Sequence, residues 1–421
     1  MNLATHYHLS LFSVLIRLGS IAAVLCTGAN LLPLSAQAQS FEPGGVNAIA
    51  ANPPIAKAQL FVNSNTGKDD LSAGRNESAP FKTIAFALQQ AQPGTIVQVA
   101  PGQYTQATGE VFPLLVPQGV TLQGNEFNQG RNVALIGGSF YSSSWWGSQN
   151  VAVLAKADSQ IVGLSVTNPN SRGTGIWIES ANATIRGCTF SKSAREGVFV
   201  AGKASVTVEN NLFTENSANG IALTGMSTGM VRNNTFQRTG FGIAVSEKAA
   251  PQLVNNRVQE NVDGIVVSHS AIPQLRGNLV EGNKRDGLVA ISDAKPDLGN
   301  GMAPGRNIFR GNGRFAIYNA TLKNSLAAEG NDVTGTMQLS ANGPTGIDQN
   351  TPPSSEWAVE NAKLPVVTPN FVAGSAAAPS NPSGKTVASA AKPTQDLKNA
   401  PTVKYKGKTY VLIDSVTPSV R

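Results

Sequence analysis

The side chains best placed for chemistry are two aspartates, Asp263 and Asp286, each followed by a glycine and a branched aliphatic residue. If the flanking segments pile up as repeats, the two carboxylates become neighbours, and like charges that close either share a proton or hold a cation between them. Arg285 precedes Asp286 and is a candidate for binding an anionic ligand, while His269 lies one strand beyond Asp263. Asp263, Asp286 and His269 are therefore the candidate catalytic cluster. The plainer reading is that Asp before Gly is a turn residue, solvated and screened. A second group, Asn63, Asn65, Asp69 and Asp70, brings oxygen ligands together at short spacing. Asp69 and Asp70 are the candidates for Ca²⁺, although the Gly and Glu of an EF-hand loop are missing; the alternative is an Asx-turn loop packed on the first coil. Of the adjacent Trp145 and Trp146, only one can offer its ring to a sugar, because neighbours on a strand face opposite sides; Trp146 is the candidate.

What would position these groups is a repeat. A glycine followed by an aliphatic residue recurs at Gly175-Ile176, Gly197-Val198, Gly220-Ile221, Gly242-Ile243, Gly264-Ile265 and Gly287-Leu288, every 22 or 23 residues. A second column runs through Ile185, Val208, Val231, Leu253, Leu275 and Leu298. A third runs through Phe190, Phe213, Phe236, Val258 and Val280, and an insertion carries it to Phe309. Apolar residues alternate over three or four positions, as in Ile221 and Leu223, which is the period of a strand. Three short strands per repeat make one coil, and coils stack as parallel strands ~4.8 Å apart. Leucine-rich repeats lack a match here because their consensus and helical returns are missing. The expected fold is all-β, a right-handed parallel β-helix solenoid of about ten coils. The glycines are expected at corners, where a Cβ would collide or a positive φ is needed. Asn210-Asn211, Asn233-Asn234 and Asn255-Asn256 are expected at the next corner, with amides bonded above and below.

An open stack of strands invites polymerisation, so its ends need covers. Residues Ile84 to Gln92 place Ile84, Leu88 and Ala91 on one helical face with Thr83 as N-cap, which predicts an amphipathic helix capping the N-terminal coil. Ahead of it, the charge-free apolar stretch Leu18 to Leu32 and the Ala36-Gln37-Ala38 triplet read as an export leader over residues 1–38. A linker over 39–58 leads to the β-helix domain, 59–345. A Pro, Ala and Ser-rich linker over 346–402 leads to a basic tail, 403–421, with the alternation of a small hairpin.

The chain holds two cysteines. Cys26 is expected to leave with the leader, so Cys188 has no partner for a disulfide and reads as a small buried residue. The formal charge is +7, but the body is close to neutral and the excess lies after residue 384. A neutral exported body gives no reason to invoke nucleic acid, whereas the basic tail suits an anionic surface such as cell-wall polymer.

The N-terminal residues add a resemblance. Phe61-Val62-Asn63, Thr66-Gly67-Lys68-Asp69-Asp70, Ala79-Pro80-Phe81-Lys82-Thr83-Ile84, Pro93-Gly94-Thr95, Pro101-Gly102-Gln103-Tyr104 and Gly119-Val120-Thr121-Leu122 resemble the signature of a bacterial domain-of-unknown-function family within the pectin-lyase-like superfamily. The resemblance covers roughly residues 60–340 and implies the β-helix and export, with no assigned reaction. Superfamily relatives include polysaccharide lyases, hydrolases and uronate epimerases. Lyases need a base and a cation, often Ca²⁺, to neutralise a substrate carboxylate; hydrolases need paired carboxylates. The Asp-Pro-His-Asp motif of the epimerases is absent. Two hypotheses result: an envelope protein that binds glycan or protein along its flank without catalysis, and a polysaccharide-active lyase or epimerase using Asp263, Asp286 and His269.

Overall fold

The structure, a computed structural model, describes residues 58–341 and three further short strands, Gly346–Asp348, Thr402–Tyr405 and Lys408–Val411. The chain divides into two units, Met1–Ile55 and Ala56–Arg421, and the described residues belong to the second. The leader expected over 1–38 and most of the two expected linkers lie outside the described residues. In the tail, Thr402–Tyr405 pairs antiparallel with Lys408–Val411.

Alternating short runs of apolar residues form strands, and the strands assemble into three long sheets. The first has nine strands, from Gln59–Val62 to Gln274–Arg276; the second has ten, from Gly102–Thr105 to Asp332–Val333; the third has twelve, from Leu114–Val116 to Gly346–Asp348. Each coil contributes one strand to each sheet in turn, giving a parallel β-helix of about eleven coils. Pairing is parallel throughout the coils. The exceptions are the Ser139–Ser143/Gly147–Ala155 hairpin and the last strand of the third sheet.

Each of the three sequence columns is a register column. Ile176, Val198, Ile221, Ile243, Ile265 and Leu288 pair in succession in the third sheet. Ile185, Val208, Val231, Leu253 and Leu275 do so in the first. In the second, Phe190, Phe213, Phe236, Val258, Val280 and Phe309 follow one another across the insertion. These side chains are fully buried, each contributing on the order of 1.5–3 kcal/mol that no single coil could secure. Rings stack within the column, Phe213 on Phe236 at 4.5 Å and 11°.

The glycine before each aliphatic residue has a different reason from the one expected in part. Gly220, Gly242 and Gly264 lie inside strands, not at corners. A Cβ on Gly264 would sit 2.4 Å from the Gly287 carbonyl oxygen, so close approach between coils, and not a positive φ, excludes a side chain. The left-handed turns fall elsewhere. Asn210, Asn233 and Asn255 have φ of 57°, 55° and 52°, and the asparagine after each builds the ladder. Asn211 Nδ2 donates to Asn234 Oδ1 at 3.0 Å, Asn234 to Asn256 at 3.0 Å, Asn256 to Asn278 at 3.0 Å and Asn278 to Asn307 at 2.9 Å. Each pair thus divides two tasks, one residue turning the chain and the next satisfying buried backbone. Cys188 is the first rung: its amide donates to Asn211 Oδ1 at 2.9 Å, and burial pushes its thiol up to about 12. A second ladder, from Thr239 through Asn261 and Asn283 to Asn312, lines the next corner.

At the N-terminal end, α1 (Ile84–Gln90) buries Ile84, Ala87 and Leu88. It packs against the strands Gln59–Val62, Ile96–Val99 and Leu114–Val116, over the start of the stack. Thr83 is its N-cap, accepting from the Phe86 amide at 3.1 Å. The helix stops short of Gln92 because Ala91 is already extended, two residues before Pro93.

Candidate functional site

Asp263 and Asp286 do come together on successive coils, where the Asp286 amide donates to Asp263 Oδ1 at 3.2 Å. Neither is a solvated turn residue, since both are buried. Nor is either free to share a proton or hold a cation. The Arg285 guanidinium grips Asp263 through Nε, at 3.1 Å from Oδ1, and through Nη2 on Oδ2. Arg314, on the following coil, grips Asp286 in the same way, with Nε 2.9 Å from Oδ1. Each carboxylate therefore ends in a bidentate pair that neutralises its charge. Arg285, read as a ligand-binding residue, spends its fork on Asp263. Glu196, in the same column three coils earlier, lies 3.1 Å from Arg195 and accepts from Thr174 Oγ1 at 2.9 Å.

His269 does not belong to this cluster. It lies past the far end of the strand Asp263–Val267, exposed, with φ 57°, and its ring meets Ser268 Oγ at 3.2 Å. It fills a turn column shared with Ser180, Gly202, Gly225, Glu247 and Ser292, all left-handed. The backbone conformation of that corner accounts for its place.

The Ca²⁺ candidates are likewise committed. Asp69 accepts from the Lys82 and Thr83 amides, both at 2.9 Å, and from Thr83 Oγ1 at 2.8 Å, bracing the approach to α1. Asp70 caps a turn through the Ser72 amide and hydroxyl, which hold its carboxyl below the usual range. Asn63 closes an Asx turn on Asn65 and Thr66, so the loop adopts the alternative reading. Among the described residues no three His, Cys, Asp or Glu side chains converge as metal ligands. The residues present do not fit Ca²⁺, because the oxygens of Asp69 and Asp70 are taken up by backbone amides and hydroxyls.

Trp146 packs edge-on against Phe199 at 5.3 Å, and Phe199 stacks on Trp177 at 4.1 Å. The hairpin carrying it folds back over the outer face of the third sheet and builds a small second core from Val151, Trp177, Phe199, Ala201 and Ala222. Ser143 Oγ donates to Glu179 at 2.9 Å, where Trp177 Nε1 also donates at 3.0 Å, and Arg195 donates to Gln149 at 3.0 Å, pinning the hairpin near its turn. The ring left to solvent is Trp145, 74% exposed, with Phe140 at 64%.

The sequence reading missed a hollow of about 560 Å³ on the flank, lined by Glu126, Phe127, Asn128, Gln129, Arg131, Gly187 and Asn210. Its wall is the loop that joins Thr121–Gln123 to Val133–Ile136. The signal for it was one aromatic residue, Phe127, inside an otherwise polar loop rich in Gly and Asn.

Several solved structures are similar to this chain over part of its length. They include the pectate lyase Pel9A (14% identity, 65% of this chain and 79% of that chain covered, TM-score 0.47) and XylC in complex with xylose (11%, 66% and 69%, 0.46). The A-module of the Azotobacter vinelandii mannuronan C-5 epimerase AlgE4 also matches (15%, 63% and 94%, 0.31). At such values none of their activities passes to this chain. No curated protein matches. The family of unknown function DUF1565 matches residues 65–336, and with that span, its signature at the start and its coils throughout, the chain belongs to this family.

Proposed function

We propose that the protein is exported and binds glycan or a protein of the cell envelope along its flank without transforming it. The observation that carries this reading is the state of the acidic column. Glu196, Asp263 and Asp286 are buried and paired with Arg195, Arg285 and Arg314, so the acidic column holds the coils together instead of presenting a base or acid to a ligand. Among the large apolar side chains exposed to solvent are three aromatic rings, Phe127, Phe140 and Trp145. The rings suit the apolar faces of sugars or of a partner's side chains. The leader-like residues 1–38 support export, and the basic excess after residue 384 supports contact of the tail with an anionic envelope polymer.

The test pairs a glycan array with an absorbance assay near 235 nm on pectate, alginate and glycosaminoglycans, with and without Ca²⁺. Binding without an unsaturated product is expected. A rise in absorbance that is lost in Asp263→Asn or Asp286→Asn would make the protein a lyase and overturn the reading.

A further inference from the structure

The loop at residues 124–132 crosses the corner between the first and second sheets, running along the solenoid axis over the coils that follow it. Gly163 and Gly187 are the corner residues beneath it, and their lack of a side chain admits it. A Cβ on Gly163 would lie 2.3 Å from the Glu126 amide nitrogen, and one on Gly187 would lie 2.5 Å from Glu126 Cγ. Where the loop ends, the corner changes from Gly to Asn210, and Gln129 Nε2 donates to the Asn210 carbonyl at 3.2 Å. Thr189 Oγ1 donates to the Gln129 carbonyl at 2.9 Å, and Arg186 Nη1 holds both Glu126 oxygens at 2.6 and 2.5 Å. The loop is clamped at both its ends, so the hollow beside it is preformed.

The lining has an unusual balance. Phe127 is fully exposed, at the tip of a loop whose other side chains are polar. The single carboxylate, Glu126, is neutralised by Arg186. Arg131 is exposed and stands at the rim, where one solvated cation is screened and attracts anions weakly. The side-chain oxygens of Asn125, Asn128 and Gln129 are buried without a donor.

We propose that this hollow binds the pyranose rings of a neutral glycan, a proposal that rests on the flank-binding reading and gives it an address. The ring's apolar C–H face packs on Phe127. Its hydroxyls accept from the exposed Arg131 and from the side-chain amide nitrogen of the exposed Asn210. At about 560 Å³ the hollow falls within the usual range of ligand clefts and exceeds the needs of one sugar ring. No charged group faces it unpaired except Arg131, so hydroxyl chemistry and not charge sets the preference.

The full chain would be titrated calorimetrically with cellohexaose, maltohexaose, mannohexaose and xylohexaose, and separately with polygalacturonate and polymannuronate fragments. At least one neutral hexaose is expected to bind. Phe127→Ala should weaken it about tenfold or more and Arg131→Ala about two- to threefold, with the melting temperature unchanged because both side chains are exposed. Affinity unchanged in Phe127→Ala, or binding confined to the acidic fragments and lost with added salt, would overturn the proposal. If Trp145→Ala removes binding while Phe127→Ala does not, the hollow is wrong and flank binding stands. Silence towards both sets and towards the glycan array removes both.

Discussion

The coils before Gly173 and the coils after it are built by different rules. After Gly173, repeats of 22 or 23 residues, one of them lengthened by the insertion before Phe309, stack the same side-chain type in each column, and two ladders of buried amides run along the corners. Before it, coils are interrupted by the 63–83 loop and α1, by the 124–132 loop and by the Ser139–Ser143/Gly147–Ala155 hairpin. In the second sheet the rings of the regular coils, Phe190, Phe213, Phe236 and Phe309, face inward, and Trp177 and Phe199 lie under the hairpin, whereas the most exposed rings, Phe127, Phe140 and Trp145, all belong to the interrupted coils. A ladder needs the same residue at the same depth on every coil, so it passes an insertion only where the asparagine returns to its column, as Asn307 and Asn312 do 29 residues after Asn278 and Asn283. The regular half is a scaffold, and the interrupted half carries the most exposed rings.

That contrast breaks most readily at the ladder. Asn234 accepts from the Asn211 amide and Nδ2, and donates to the Val208 carbonyl and Asn256 Oδ1, all between 2.9 and 3.0 Å. Asn234→Ala leaves several of these buried groups unpaired and should cost on the order of 4 kcal/mol. Asn125→Ala, in the loop of the interrupted half, should cost less than about 1 kcal/mol, since its side chain caps nothing and its oxygen has no donor. Urea midpoints measure both. Equal losses would mean that the two halves are held together alike.

The next largest effect separates the halves by pH. Glu110 is buried beneath the first turn of α1 and accepts from the Ile84 amide at 2.7 Å and the Ala85 amide at 3.1 Å, with no ion pair. Burial pushes its carboxyl up to about 7 from 4.5, against the pull of the two amides, and Asp69 nearby adds to the rise. Between those values the folded chain binds more protons than the unfolded one. Stability from this group is therefore greatest below about pH 4.5, falls as pH rises and levels off above about 7, a span on the order of 3 kcal/mol. Glu110→Gln should flatten that fall in unfolding midpoints taken from pH 4 to 8. An unchanged slope in the variant would place the titrating group elsewhere.

The columns were legible in the sequence because burial repeats with the coil: Ile221, Ile243 and Ile265 announce one another at a fixed spacing. The adjacency of Asp263 and Asp286 was legible for the same reason. Their partners were not, because the pairing runs across coils. Arg285 stands next to Asp286 in sequence yet binds Asp263, and Arg314, next to Phe315, reaches back to Asp286. The hollow at Phe127 was hidden because nothing about a loop that occurs once can be checked against a second copy. Asp286→Asn sharpens the point. It strands a half-exposed Arg314 beside an amide and should lower stability by about 2 kcal/mol, less than a fully buried pair would lose. Added Ca²⁺ should not change that loss, whereas rescue of the native protein by Ca²⁺ would restore the cation-site reading.

The smallest expected effect falls on His269, where the regular half would have to act if it carried the function. Its left-handed backbone costs a residue with a Cβ about 1 kcal/mol, which His269→Gly relieves. The variant also gives the unfolded chain about 0.5–1 kcal/mol of extra entropy. These oppose each other, and the ring's one contact is with the neighbouring Ser268, so the midpoint should move by no more than about 0.5 kcal/mol. Glycan binding should not move at all, because His269 turns the corner between the third and first sheets, whereas the hollow lies at the corner between the first and second. Binding lost in His269→Gly, with the fold intact, would put a working side chain on the scaffold half and erase the division between the two sets of coils.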